Sequence, residues 1–277
     1  MKKIFILILL ISFPKIFSQE TEQQQVVTKS GKEILPKAGD IALGVDALPY
    51  LNYLGNIFNN TTNNTLALGS NTLYFKYYLS DNSAVRICLN INSNKIINKY
   101  YVQDDAARMA DPLSRAVLID KKVTSNNGYG IALGYLMSRG YDRVRGFYGI
   151  QAGYNYNRGT LEYQYGNSMT PENPTPSTAW GRQATRILEK DNGIVQTIGG
   201  GIVVGVEYYF LPKICIGGEV TLQYQYSWGS QSNQKTETIV GNDLIQIDDE
   251  LSPGDKSSSL NTFRPATFGG LYLMFHF

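Results

Sequence analysis

Residues 268–277 read FGGLYLMFHF, and the two faces of this stretch differ in character. Leu271, Leu273, Phe275 and Phe277 share one face, while Gly270, Tyr272, Met274 and His276 share the other. A period of two belongs to a strand whose faces meet different surroundings. In water, an apolar edge strand of this kind invites aggregation. In lipid, a closed ring of strands removes the edge, and acyl chains solvate the apolar face. The stretch therefore predicts an all-β fold, a closed antiparallel up-and-down transmembrane β-barrel.

Working back along the chain, the same alternation recurs seven times. In residues 214–226, Ile214, Ile216, Val220, Leu222, Tyr224 and Tyr226 oppose Cys215, Gly217, Glu219, Thr221, Gln223 and Gln225. Before them Ile202, Val204, Val206, Tyr208 and Phe210 face away from Gly201, Val203, Gly205 and Glu207. Further strands are expected at 147–163, 128–137, 85–92, up to Leu79, and at 40–50. In the last of these, Ile41, Leu43, Val45 and Ala47 share a face opposite Ala42, Gly44 and Asp46. Ser80 to Ser83, Arg139 to Arg145 and Leu211 to Lys213 read as short turns by residue type. Polar gaps at 52–65, 95–127, 166–192 and 227–263 separate the other strands, with a short helix expected around 106–118. Eight strands, three short turns on the side of both termini and four long loops opposite make the pattern of an outer-membrane barrel.

Composition agrees with that reading. Only 17% of the 277 residues are charged, while Tyr (20) and Gly (27) are plentiful. Aromatic rings suit membrane interfaces and small residues suit a crowded lumen. Tyr77, Tyr78, Phe147, Tyr148, Tyr208, Tyr209, Phe210, Phe275 and Phe277 are expected to form one girdle. Tyr163, Tyr165, Tyr224, Tyr226 and Trp228 are expected to form the other. A net charge of +2 without a basic face excludes nucleic acid as a partner. Residues 1–18 read as a cleavable secretory signal, with a basic start, an apolar core too short to span a bilayer, and Ser18 at the cut. Residues 19–38 read as a disordered periplasmic leader with no core to join, and 39–277 as the barrel. A soluble β-sandwich alternates in the same way and stands as the competing fold.

On the strand count, the turn asymmetry and Phe277, residues 39–277 resemble the small eight-stranded outer-membrane β-barrel family. Its members include the OmpA transmembrane domain, OmpX and OmpW. The Asn-, Ile- and Lys-rich style resembles porin-family chains of Bacteroidetes. The resemblance implies location in the cell outer membrane and contact with its lipid. It also implies that Leu271, Leu273, Phe275 and Phe277 are the C-terminal signal read by the barrel assembly machinery.

The inward positions carry Asp46, Lys76, Arg86, Glu207 and Glu219. Eight strands leave a lumen that side chains just fill, and buried charges must be paired. These five are expected to form a lumen polar network, either a fixed plug or a gate whose pairs exchange. Cys88 and Cys215 fall on opposite walls, too far apart to bridge, and are expected to be free thiols. The single histidine, His276, is expected at the rim as interfacial filler; without a second, no Ser-His-Asp set can form. Barrel enzymes of the protease and deacylase types, which this chain resembles in fold, do their chemistry at the far end. No catalytic residue is therefore assigned. Asp104-Asp105 and Asp248-Asp249-Glu250 lack the spacing of a calcium loop and read as solvated charge. No metal or cofactor is expected. Function is then expected in the loops, which would bind a surface ligand, a host-surface protein or another outer-membrane complex. The alternative is a small porin-like channel for ions or small apolar solutes.

Overall fold

Alternating residues give each strand one apolar and one polar or small face, and the strands satisfy their backbone groups by pairing into a ring. The computed structural model describes residues 26–28, 31–48, 50–51, 71–251 and 261–277. The signal-peptide reading of residues 1–18, residues 19–25 of the leader and the loop at 52–65 lie outside them. In chain order the elements are β1 (Ile41–Asp46), β2 (Asn71–Ser80), β3 (Ser83–Gln103), α1 (Asp105–Ala110), β4 (Val117–Tyr141) and β5 (Val144–Gln164). Then come β6 (Thr185–Leu211), β7 (Ile214–Gly229), β8 (Asn233–Val240), β9 (Asp243–Glu250) and β10 (Asn261–His276).

The ring runs β1-β2-β3-β4-β5-β6-β7-β10 and closes where β10 returns to β1, with Val45 opposite Leu273 and Leu43 opposite Phe275. Every pairing in it is antiparallel. The soluble-sandwich alternative falls here: Val206, Leu222 and Phe275 point away from the ring and stay exposed, with no second sheet over them. An outward belt of this composition, on a barrel without edges, is an apolar surface built for lipid.

Three features differ from expectation. First, the long gap at 95–127 is largely strand, and the gap at 166–192 ends in strand from Thr185 on. β3 and β4 pair without a break from Ser83–Met137 to Gln103–Val117. Twenty-one residues of strand span roughly 70 Å, whereas a tilted strand crosses a bilayer with about 9–11. The wall therefore continues well past the apolar belt at the long-loop end. The helix in the gap is also shorter than expected, six residues capped by Asp104, whose side chain accepts from the Ala107 N–H.

Second, the gap at 227–263 holds a hairpin, β8–β9, turning at Gly241 with φ 64° and pairing onto the first residues of β6. Third, the part of the leader that is described does join a core. Val27 bridges Glu33 around Gly31, and Ile34, 1% exposed, packs with Val26 and Leu35 against the ring interior at the short-turn end. The Ile34 carbonyl accepts from the Lys213 N–H, and Lys213 pairs with Asp40. These ties hold Lys213 at φ 61° in the Pro212-Lys213 turn, a conformation a β-carbon ordinarily resists. β1 is also shorter than expected, and Ala47, past its end, is buried instead of facing outward.

Candidate functional site

Inside the short-turn half of the ring, four strands deliver charged side chains to one another. Lys76 on β2 pairs with Glu207 on β6, and Arg86 on β3 pairs with Glu219 on β7. Their side chains are 3%, 2%, 1% and 9% exposed, respectively. The Glu207 carboxylate is held further. Glu207 accepts from the Tyr272 hydroxyl at 2.7 Å and the Tyr209 hydroxyl at 2.9 Å. Arg86 also donates to the Gln151 side chain, whose Nε2 lies 3.4 Å from Thr221 Oγ1. The Lys76 ammonium faces the Phe147 ring at 4.8 Å. A buried pair is stable only when its remaining donors and acceptors are occupied, and those on Lys76 and Glu207 are.

Glycines make the space. Tyr272 stands directly across from Gly217, and Phe147 from Gly205, and in each case a β-carbon on the glycine would strike the ring. Each ring therefore occupies the space over its facing glycine, and the Lys76 ammonium lies near both. Near them Tyr78 and Tyr209 pack tilted against His276, with ring centroids 5.6 and 5.4 Å from it. A carbonyl only accepts, so His276 Nδ1 carries the proton toward Lys213 O at 3.1 Å. Nε2 then accepts from the Tyr78 hydroxyl, also at 3.1 Å. Ile34 is buried in the same cluster as Tyr78 and Tyr209.

Of the residues the sequence singled out, Lys76, Arg86, Glu207 and Glu219 meet as two cross-lumen pairs. Asp46 is half-buried at the end of β1, opposite Tyr272, and its Oδ1 caps the Leu48 N–H at 2.9 Å. Leu271, Leu273, Phe275 and Phe277 project from the outer face of β10, away from the buried Tyr272, Met274 and His276. Cys88 and Cys215 are both free. His276 is not rim filler: it is buried as part of the plug. Nor are Tyr78, Phe147 and Tyr209 girdle residues; each points inward while its neighbour Tyr77, Tyr148 or Tyr208 takes the outer face. Two adjacent strand residues cannot share a face, and that rule alone would have separated them. Arg145, expected in a basic turn, is 1% exposed and donates to Asp81 O at 2.5 Å and Asn82 Oδ1 at 3.1 Å. Its Nε and Nη1 have no hydrogen-bond partner among the described residues.

A second buried polar cluster lies at the long-loop end, where the segment from Tyr165 to Ala184 straps across the wall. Asp120 accepts from the Gly166 and Ala179 N–H groups at 2.7 and 2.8 Å. Asp105 accepts from the Ser177 N–H at 2.6 Å and the Asn173 amide at 2.9 Å, with Arg182 at 3.5 Å. Burial disfavours the Asp105 charge, but these donors prevail and hold its carboxyl below the usual range. Asp105 is thus a latch and not solvated charge, whereas Asp248, Asp249 and Glu250 are exposed on β9 as expected. Trp180 from the strap packs edge-on against Tyr100, Tyr163 and Tyr165, at 4.9–5.7 Å. Tyr163 and Tyr165 therefore belong to this cluster and not to a girdle. The buried Arg186–Glu237 pair fastens the β8–β9 hairpin to β6, and the guanidinium lies over Tyr165 at 4.2 Å.

Residues 57–238 match the model of a family described as "Putative OmpA-OmpF-like porin family". No curated protein sequence matches the chain. Among solved structures the chain is similar to a major outer membrane protein from Thermus thermophilus. Identity is 11% over 86% of this chain and 98% of that one, with a TM-score of 0.37. It is also similar to the outer membrane protein OprG from Pseudomonas aeruginosa, at 10% identity over 88% and 98% of the chains and a TM-score of 0.31. For outer membrane protein W of E. coli the values are 12%, 88%, 100% and 0.28.

Proposed function

This chain belongs to the OmpA-OmpF-like porin family and is an integral outer-membrane β-barrel; we propose that it is a closed, non-enzymatic scaffold whose extracellular body binds a partner. The observation that carries this reading is the exterior body itself. β3 to β6 run far past the membrane belt; buried Asp120 on β4 and Asp105 on α1 fasten the strap, and buried Arg186 on β6 fastens the β8–β9 hairpin. A chain that needed only to cross the bilayer would have no use for this second polar core. Function on a rigid barrel resides in what the barrel displays. The partner is a surface ligand or another outer-membrane complex. On the same reading, the outward side chains of Leu271, Leu273, Phe275 and Phe277 meet the barrel assembly machinery first and lipid afterwards.

Co-purification in mild detergent tests the reading, using the native chain and a variant in which residues 231–251 are replaced by a two-residue turn. A partner retained by the native chain and lost from the variant supports it. Retention of every co-purifying protein by the variant refutes it. The family match favours a second reading, a porin-like channel for ions or small solutes. In that case the Lys76–Glu207 and Arg86–Glu219 pairs must separate to open a path, and ion conduction across a bilayer is its test.

A further inference from the structure

Above the plug the lumen wall changes from charge to amide. Across β3, β4 and β5, successive rungs read Asn90, Gly130, Asn155, then Asn92, Gly128, Asn157, then Asn94, Asn126, Gly159. The alternation that turns Arg86, Gly134 and Gln151 into the lumen places these residues on the same face. Each glycine leaves room for an amide to lie across it. Asn157 Oδ1 sits 2.6 Å from where a β-carbon on Gly128 would stand, and Asn126 Oδ1 3.0 Å from the same point on Gly159. Asn192 Nδ2 reaches that point from β6 at 3.4 Å. Together they line a half-open pocket of about 200 Å³.

The hydrogen-bonding state of these amides is the informative part. Asn127 Oδ1 accepts from the Ser93 hydroxyl at 2.7 Å, and Arg158 and Asp191 on the rim are paired with each other. Among the described residues, the side-chain amides of Asn92, Asn126, Asn157 and Asn192 have no protein partner. All four side chains are exposed, and each offers a carbonyl acceptor and two N–H donors to a molecule in the pocket. We propose that this vestibule binds a small neutral carbohydrate. A sugar hydroxyl both donates and accepts, so one ring can engage several amides at once. An ion finds no net charge here to stabilise it, because the rim pair is internally neutral. An apolar solute would strip water from the amides and return nothing. The glycines let a ring approach the wall closely. The site stands whatever the extracellular body binds.

The full chain, refolded in detergent micelles, tests this by saturation-transfer NMR and calorimetry with methyl glucoside as the probe. Free glutamate and hexanol serve as the charged and apolar comparisons. Methyl glucoside is expected to bind in the millimolar range, and the other two to show no saturable transfer to this site. Asn126→Ala and Asn157→Ala should each weaken glucoside binding about tenfold, the size of one lost hydrogen bond in affinity. Asn92→Ala provides the same reading should either of the others fail to refold by heat-modifiable gel migration. Absence of glucoside binding, equal binding of glutamate or hexanol, or binding that all folded variants leave unchanged overturns the proposal.

Discussion

The plug in the membrane-level lumen and the latch in the extracellular body both bury charge, but they neutralise it with different kinds of partner. In the plug, charge meets charge across the ring: Lys76 to Glu207 and Arg86 to Glu219, each residue carried by a different strand. In the extracellular body, the carboxylates of Asp120 and Asp105 are met mainly by backbone N–H groups of one strap, at Gly166, Ala179 and Ser177. The first arrangement depends on closure of the barrel, since no pair forms until distant strands are in register. The second depends only on where a loop lies. The comparison teaches that plug and strap should fail separately, the plug with the barrel and the strap alone.

The largest effect is expected in the plug. Glu207→Ala leaves the Lys76 ammonium buried without its carboxylate, a loss of about 3–5 kcal/mol. Urea unfolding of the refolded chain, followed by gel migration, measures it. Adding Lys76→Met to that variant should recover part of the loss, because it removes the uncompensated buried charge, while the space left by Glu207 and the Tyr272 and Tyr209 hydroxyls that lose their acceptor remain. In the strap, Asp120→Ala orphans two backbone donors and should cost roughly 2–3 kcal/mol. That loss should appear as faster proteolysis within 166–184 while the barrel keeps its heat-modifiable migration.

Acid separates the two regions further. The Asp105 carboxyl is held below its ordinary value, so its contribution is complete above about pH 4, the unfolded value. It declines as pH falls through the lower folded value. Hydrogen exchange of the Ser177 amide should be flat from pH 7 to about 4, after correction for intrinsic rates. Below that, protection should drop. The smallest effect belongs to Arg158→Ala. Its pair with Asp191 is largely exposed, with the guanidinium side chain at 46%, and should contribute less than about 1 kcal/mol.

How much of this was legible in the sequence follows from the same contrast. Where one face meets lipid and the other a packed lumen, alternation is strict, and Val206, Leu222 and Phe275 announce their outward direction. The charged plug residues follow by parity, and so would Tyr78, Phe147, Arg145 and Tyr209 had parity been applied to every adjacent pair. Outside the membrane both faces meet water or a polar cluster, so nothing enforces alternation. Residues 95–103 place Ile96 beside Ile97 and Tyr100 beside Tyr101, and read as loop although they are strand. The β8–β9 hairpin did leave a mark, Gly241-Asn242 between two β-prone segments, which is a short-hairpin signal. Burial of Ile34 left none, because a single apolar residue in a polar leader has no period. Asp105 and Asp120 were equally silent, since their partners are backbone groups some 46 to 72 residues away.

The central claim is that paired charges and aromatic rings close the lumen on its periplasmic side. Single-channel recording of the refolded full chain in a planar lipid bilayer tests it most directly. The account predicts a silent membrane for the native chain, and discrete current steps once Lys76, Glu207, Arg86 and Glu219 are all replaced by alanine. Steady ion current through the native chain, or the same silence from the folded quadruple variant, would contradict it.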